Sequence, residues 1–587
     1  MKPLTLKVIT LGLAVGAQPA VAQTPMPFSE REFAAVRPLF SGPRALETVA
    51  YLDRFVRWPG NPGFDSSIAH VAARLKAAGY VEQEKAGPAD RMTFRVEQYP
   101  MANAAWEPQD ATLAFAASIA SRPRPTAPPI LSFATNRNMM ATNSWSTPPE
   151  GVEAEVVRVA SLTPAALDSA NVAGKIVMAD APVGRLFTEA VVRRGALGVL
   201  AYSMPAYTQP EKNTHSIQFS GIPYDSARKS WGIPLSNDAR RQLLDAQKDG
   251  PVRVRVKLRS QFIRPATELA IVAEVRGSVA PSERFVYSAH VQEPGANDDA
   301  SGVGTLAEMA RVLADLVRRG RADPKRTITM LWGQEIRVTD RFLRQDTVRL
   351  RGVRWGVSLD MVGEDTKKTG GTFLIEKMPD PSAIWTRGED HHTEWGGSAL
   401  NESAMKPHYF NDFLIARTRQ QGVAATWVVN ANPFEGGSDH VAYLNNGVPG
   451  VLFWHFTDQF YHTDGDRLDK ISAETMRNVG VSALVSGLVL ASADSSTARA
   501  IIAETLAAAL HRLDAEAALS KSAIAAGTDA AHERHVLETW GAWYDAAIRS
   551  VSDVEPGGSS VQTRAAIDAA AASVGQRLAT LIQSLSS

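Results

Sequence analysis

Cysteine is absent from all 587 residues, which excludes disulfides, thiolate metal sites and cysteine nucleophiles together. An excess of charge is absent too. The 62 basic and 62 acidic residues cancel, so electrostatics gives no argument for nucleic acid or an anionic membrane as partner. After the N-terminus no long uncharged apolar run occurs, so no membrane anchor is expected. A disordered composition is lacking as well: with 44% hydrophobic and 21% charged residues the chain reads as globular. Its length is too great for one core and implies about two to four domains.

What is present starts with a basic "MKPLTLK", an apolar "VITLGLAVGA" and the small-x-small "AVA" before Gln23. In that order they read as an export signal over 1–22, cleaved near Ala22, with a periplasmic or secreted mature protein. Residues 23–125 hold two segments of helical spacing around the turn "VRWPGNPGFD", then the alternating "RMTFRVEQYPM". A linker-like "SRPRPTAPP" leads into short strand candidates over 126–263, an α/β insert carrying no grouped His, Asp and Glu. Residues 264–490 alternate strands with helices, which predicts an α/β core with a mostly parallel mixed sheet flanked by helices. The Ala-rich stretch 491–587 reads as a helical hairpin or small bundle.

In open α/β sheets, ligands bind beyond the carboxyl ends of the strands. Five donors fall there: His290 ends "RFVYSAH", Asp298 follows its loop, and Glu335 follows "TITMLWG". Asp360 lies at the end of "WGVSLDMV", and His462 follows "GVLFWHF". Two imidazoles and three carboxylates suit zinc best, with manganese, cobalt or iron as further options. A pair of cations sharing one carboxylate would make the crowding of acids favourable. A single aspartate here could simply cap the helix that follows; five donors at one rim argue for metal.

The stretches "PGANDDASGVGTLAEMAR", "LDMVG", "GGSDH" and "YHTDGDRLDKI" resemble signatures of the M28 family of zinc peptidases, the aminopeptidase group. The insert, through "GKIVMAD" and "GIPLSNDARRQLL", resembles a protease-associated domain, implying a non-catalytic lid. The resemblance implies two zinc ions bridged by Asp298. His290 and Asp360 would complete one, Glu335 and His462 the other. Asp299 would orient Asp298, while Asp439 and His440 would support the pocket wall. It also implies a peptide substrate cleaved from its N-terminus.

Two departures bear on mechanism. The family places an aspartate two residues after the first histidine; here Gln292 stands there, and its amide oxygen is expected to accept the ring N–H of His290. Before the ligand Glu335 the family places a proton-shuttling glutamate, and here Gln334 stands there, without a usable pKa. Glu293, in the loop after His290, is a candidate replacement base. The leading expectation is an exported dizinc aminopeptidase. The alternative is a weakened or inactive zinc-binding scaffold, and a glutaminyl-cyclase relative is a third reading. Trp454, Phe456, Phe460 and Tyr461 are candidates for an apolar pocket, although Trp454 and Phe456 are expected mainly to pack the sheet. Oligomeric state has no signal in the sequence.

Overall fold

The structure, a computed structural model, describes residues 28–116, 118–119, 122–123 and 128–585. The export-signal stretch and part of the "SRPRPTAPP" linker lie outside the described residues. The fold is α/β, built on a mixed nine-stranded sheet. Four strands, Arg326–Gly333, Ala280–His290, Val353–Leu359 and Gly450–Phe456, lie side by side in that order and run parallel. Thr267–Val275 and Thr372–Glu376 flank the four antiparallel.

These central strands are near-continuous apolar runs because both faces are covered. Phe285 and Tyr287 point into a core with helices Gly42–Leu52, Ala300–Arg318 and Ala473–Ala491. Val286, between them, points to the opposite face with Val338, Phe342 and Tyr443. All four parallel strands therefore end on one rim, and helix Ala300–Arg318 begins there.

A second, seven-stranded sheet is built from residues between strands Met92–Pro100 and Thr267–Val275 of the first. It begins earlier than residue 126: strand Ala105–Phe115 pairs with Arg253–Ile263 along its whole length. Pro108 hides that strand from sequence reading, since proline weakens a strand pattern; it lies beside the register shift at Arg259 and Ser260. Helix Phe410–Ala425 runs to the start of "ATWVVNA", Thr426 turns left-handed, and only Asn430–Asn432 pairs in the sheet.

The C-terminal stretch forms three helices, Ser495–Ala525, Ala530–Ser550 and Val561–Gln583, packed on one another. Buried Arg326 ties this bundle to the sheet, donating to the carbonyls of Val554 and Asp553 at 2.7 and 3.0 Å. No helix among the described residues is long and apolar enough to cross a membrane.

Candidate metal centre

The rim brings His290, Asp298, Asp360 and His462 together. His290 Nε2 lies 3.3 Å from Asp298 Oδ1 and 3.4 Å from Asp360 Oδ2. His462 Nε2 lies 2.9 Å from Asp298 Oδ2 and 3.4 Å from Glu293 Oε2. Asp298 thus turns one oxygen to each histidine. Two trios have donor atoms all within 4.8 Å of one another: His290–Asp298–Asp360 and Glu293–Asp298–His462. Glu335 belongs to neither trio, although it lines the same cleft. Gln334 is not part of the cleft lining; its Oε1 accepts from Arg337 Nη1 at 3.2 Å, toward the surface.

Four of the ten non-glycine residues with positive φ among the described residues sit here: Glu293 at 87°, Ile336 at 60°, Met361 at 54° and His462 at 59°. Each is a cleft residue or directly follows one. Such backbone costs on the order of 1–3 kcal/mol per residue and persists only where the surroundings over-determine it. The surroundings can be named. Asp299 Oδ2 accepts from His290 N at 3.0 Å, and its Oδ1 accepts from Gly302 N at 2.9 Å and Met361 N at 3.1 Å. It caps helix Ala300–Arg318 and fixes the backbone beside both His290 and Asp360, so capping and orienting are one role. Ser438 Oγ donates to Asp360 Oδ2 at 2.7 Å, and Asp439 accepts from Ile336 N. His440 Nε2 lies 2.8 Å from Glu376 Oε1.

Gln292 departs from expectation. The backbone carbonyl of Gln292, not its side chain, meets His290 Nδ1 at 3.2 Å. The side chain reaches across to the next strand instead. Its Oε1 accepts from Glu335 N at 2.7 Å and its Nε2 donates to Glu335 Oε2 at 3.3 Å. The tight turn after His290 brings the carbonyl to the ring before the longer amide can reach it.

Burial alone would lower the His290 pKa, but the charges of Asp360, Glu335 and Asp299 outweigh it and hold the ring well above its usual range. Burial, only partly opposed by His290 and reinforced by Asp360 and Asp298, pushes the Glu335 carboxyl up to about 8. Burial and the Asp298 charge likewise raise Glu293. Burial pushes Asp298 upward as well, yet the His462 and His290 rings prevail and hold it low. Crowded acids of this kind are the setting in which a bound cation would be favourable. Asp360 Oδ1 and Glu293 Oε2 are buried with no hydrogen-bond partner among the described residues. Unpartnered carboxylate oxygens beside imidazole nitrogens fit a borderline divalent ion such as zinc.

The cleft, about 80 Å³, is lined by Met361, Trp395, Leu452, Trp454 and Tyr461 as well as by the acids. Phe456 packs behind, stacked on Trp454 at 5.2 Å. Phe460 is absent from the lining and lies under Lys470 Nζ at 4.7 Å. The seven-stranded unit supplies no donor to either trio, but it grips one. Phe219 N donates to the His462 carbonyl at 2.8 Å, and its ring lies 4.4 Å from the imidazole. Asn138 Nδ2 reaches the same carbonyl at 3.3 Å. His392, His408 and His455 pair with Glu435, Asp553 and the Met361 carbonyl, outside both trios. Sequence reading missed Phe219 and Asn138, which no motif marks.

A helix-covered mixed sheet with imidazoles and carboxylates at its parallel strand ends defines an α/β fold with a candidate divalent-metal centre. Residues 270–486 match the family model for peptidase family M28. A "probable zinc metalloprotease" from Pyrenophora tritici-repentis is 25% identical over 248 residues, 38% of this chain and 50% of that protein. Bovine (Bos taurus) carboxypeptidase Q is 24% identical over 364 residues, 57% of this chain and 66% of the relative. The chain spans about half the length of the fungal relatives it matches. In fold it is similar to an M28 peptidase precursor from Shewanella amazonensis, with TM-score 0.52, 18% identity and 79% and 96% of the two chains covered. A zinc aminopeptidase from Bacillus subtilis gives 0.50 at 16% identity, covering 76% and 94%.

Proposed function

We propose that the protein is an exported zinc peptidase that hydrolyses residues from peptide N-termini, using two metal positions that share Asp298. The observation that carries this reading is the placement of that carboxylate, 3.3 Å from one histidine and 2.9 Å from another through its two oxygens. His290, Asp298 and Asp360 would hold one ion; Asp298 and His462 would anchor the second. Bound zinc would supply the Lewis-acid charge that polarises a scissile carbonyl and makes water more acidic. Glu335 lines the same cleft, and Gln292 steadies its carboxylate. In this reading Glu335 takes the proton from the attacking water and returns it to the leaving amine. Trp395, Trp454, Leu452 and Met361 receive the apolar side chain of the terminal residue; a cleft far smaller than a typical ligand pocket suits one side chain.

The inactive-scaffold reading rested on Gln334. In the reading proposed here Gln334, which accepts from Arg337 Nη1 at 3.2 Å and does not line the cleft, takes no part in proton transfer. The seven-stranded unit, whose residues 126–263 resemble a protease-associated domain in sequence, acts in this reading as a lid that also steadies His462. Residues 1–22 act as the leader in this reading, and 264–490 as the core. The test is elemental analysis of the purified protein, then a panel of aminoacyl chromogenic substrates with and without chelator. Two zinc ions per chain and chelator-sensitive release from apolar aminoacyl substrates are expected. Metal-free protein, or turnover indifferent to chelator, refutes the reading.

A further inference from the structure

Two metal positions that share one aspartate need further donors on each side, and the resemblance of the motifs to the M28 family implies Glu335 for the second. The geometry of the site favours another residue. We propose that Glu293 completes the metal position built on Asp298 and His462, leaving Glu335 off the metal; this rests on the two-metal reading above.

The spacing carries the assignment. Ligands about 2.1 Å from one tetrahedral ion lie roughly 3.4 Å from each other. Glu293 Oε2 is 3.4 Å from His462 Nε2, the distance that separates Asp360 Oδ2 from His290 Nε2 in the first trio. Glu293, Asp298 and His462 meet mutually within 4.8 Å, a condition Glu335 does not satisfy with any trio.

The state of each carboxylate agrees. Glu293 is 9% exposed, and its Oε2 is buried without a hydrogen-bond donor. A buried acceptor left empty is unfavourable unless a cation faces it. Glu335 Oε2 is already engaged by the neutral amide of Gln292, and its backbone N–H by the same side chain.

The backbone is built to present Glu293. Its φ of 87° is one an L-residue rarely adopts. Arg57, fully buried, clamps both sides of it. The guanidinium donates to the Val291 carbonyl at 2.9 Å and the Gly295 carbonyl at 2.6 Å. The Arg57 carbonyl accepts from Glu293 N at 3.1 Å. Arg137 adds a bond to the Pro294 carbonyl. A loop held at four points around a single strained glutamate is preorganised for that side chain.

The experiment measures zinc itself, by mass spectrometric content and by competitive titration of the full chain. Wild type is expected to bind two ions. Glu293→Gln, isosteric but neutral, keeps one and binds the second at least about a hundredfold more weakly, since loss of a ligand exceeds the 10–100-fold typical of an outer partner. Glu335→Gln retains both at wild-type affinity. Should Glu293→Gln fail to fold by circular dichroism, Glu293→Asp, which withdraws the same charge by one methylene, must weaken the second ion selectively. Glu293 variants that hold two ions at wild-type affinity, or a Glu335→Gln protein that loses one, overturn the assignment. A wild type that binds no zinc overturns it together with the peptidase reading. A wild type that binds two ions without peptide turnover overturns only the latter.

Discussion

Glu335→Gln separates proton transfer from metal binding. The substitution keeps side-chain volume, and a glutamine oxygen can still accept from Gln292 Nε2, as Glu335 Oε2 does at 3.3 Å. The backbone bond from Glu335 N to Gln292 Oε1 at 2.7 Å is untouched. Local structure should therefore survive while the proposed acceptor of the water's proton is lost. General acid–base help is about 10²–10⁴-fold, so kcat/KM should fall by that factor, equal to about 2.7–5.4 kcal/mol of barrier. The assay is steady-state hydrolysis of an aminoacyl chromogenic substrate at saturating zinc, with metal content measured on the same samples. Gln334→Glu is the paired control. Because Gln334 turns toward Arg337 and away from the cleft, a carboxylate there should leave the rate within about twofold of wild type. Wild-type turnover by Glu335→Gln, or a gain of a decade or more from Gln334→Glu, would refute the reasoning.

Phe219→Ala removes the ring packed 4.4 Å from His462 and should weaken the second zinc more than the first, read by competitive titration. Arg387→Ala strips the ion-pair partner from Glu533, contacted at 2.6 Å with a side chain 4% exposed, while Glu516 keeps Arg512 at 2.8 Å. Denaturant unfolding should show a loss of about 3–5 kcal/mol, as for a broken buried ion pair; a change below about 1 kcal/mol would mean the pair is solvated. Asp412 has its carboxyl pushed up to about 7 by burial, from 3.8. The folded state then binds more protons than the unfolded one, so the group costs stability progressively as pH rises from about 4 to 7 and fully above. Asp412→Asn should raise the melting temperature at pH 8 and leave it unchanged near pH 4; equal effects at both would remove the titration argument.

The rim was readable because strand ends and donors coincide in the sequence: "RFVYSAH" ends as a strand on His290, and "GVLFWHF" is a strand over its full length. Parallel strands buried on both faces leave long apolar runs, which survive in one dimension. Which acid faces which histidine does not survive. Glu293 and Glu335 are both loop glutamates beside a strand end, and the choice between them depends on a positive φ and on Arg57, far away in the chain. Gln334 and Glu335 are adjacent, and only the direction of the turn after Gly333 tells which enters the cleft. The grip of Phe219 on His462 is a contact between distant segments with no periodicity to announce it.

That grip has a consequence for the order of events as the chain folds. His462 is joined to Asn138 across 324 residues, and Asp464 to Asn136 across 328. Contacts between such remote segments form late, after the local ones have closed their loops. The strands that carry His290 and Asp360 pair directly with each other, whereas the His462 carbonyl is held by Phe219 and Asn138 of the seven-stranded unit. On the proposed reading, a partly folded chain lacks its second metal position until those long-range contacts close.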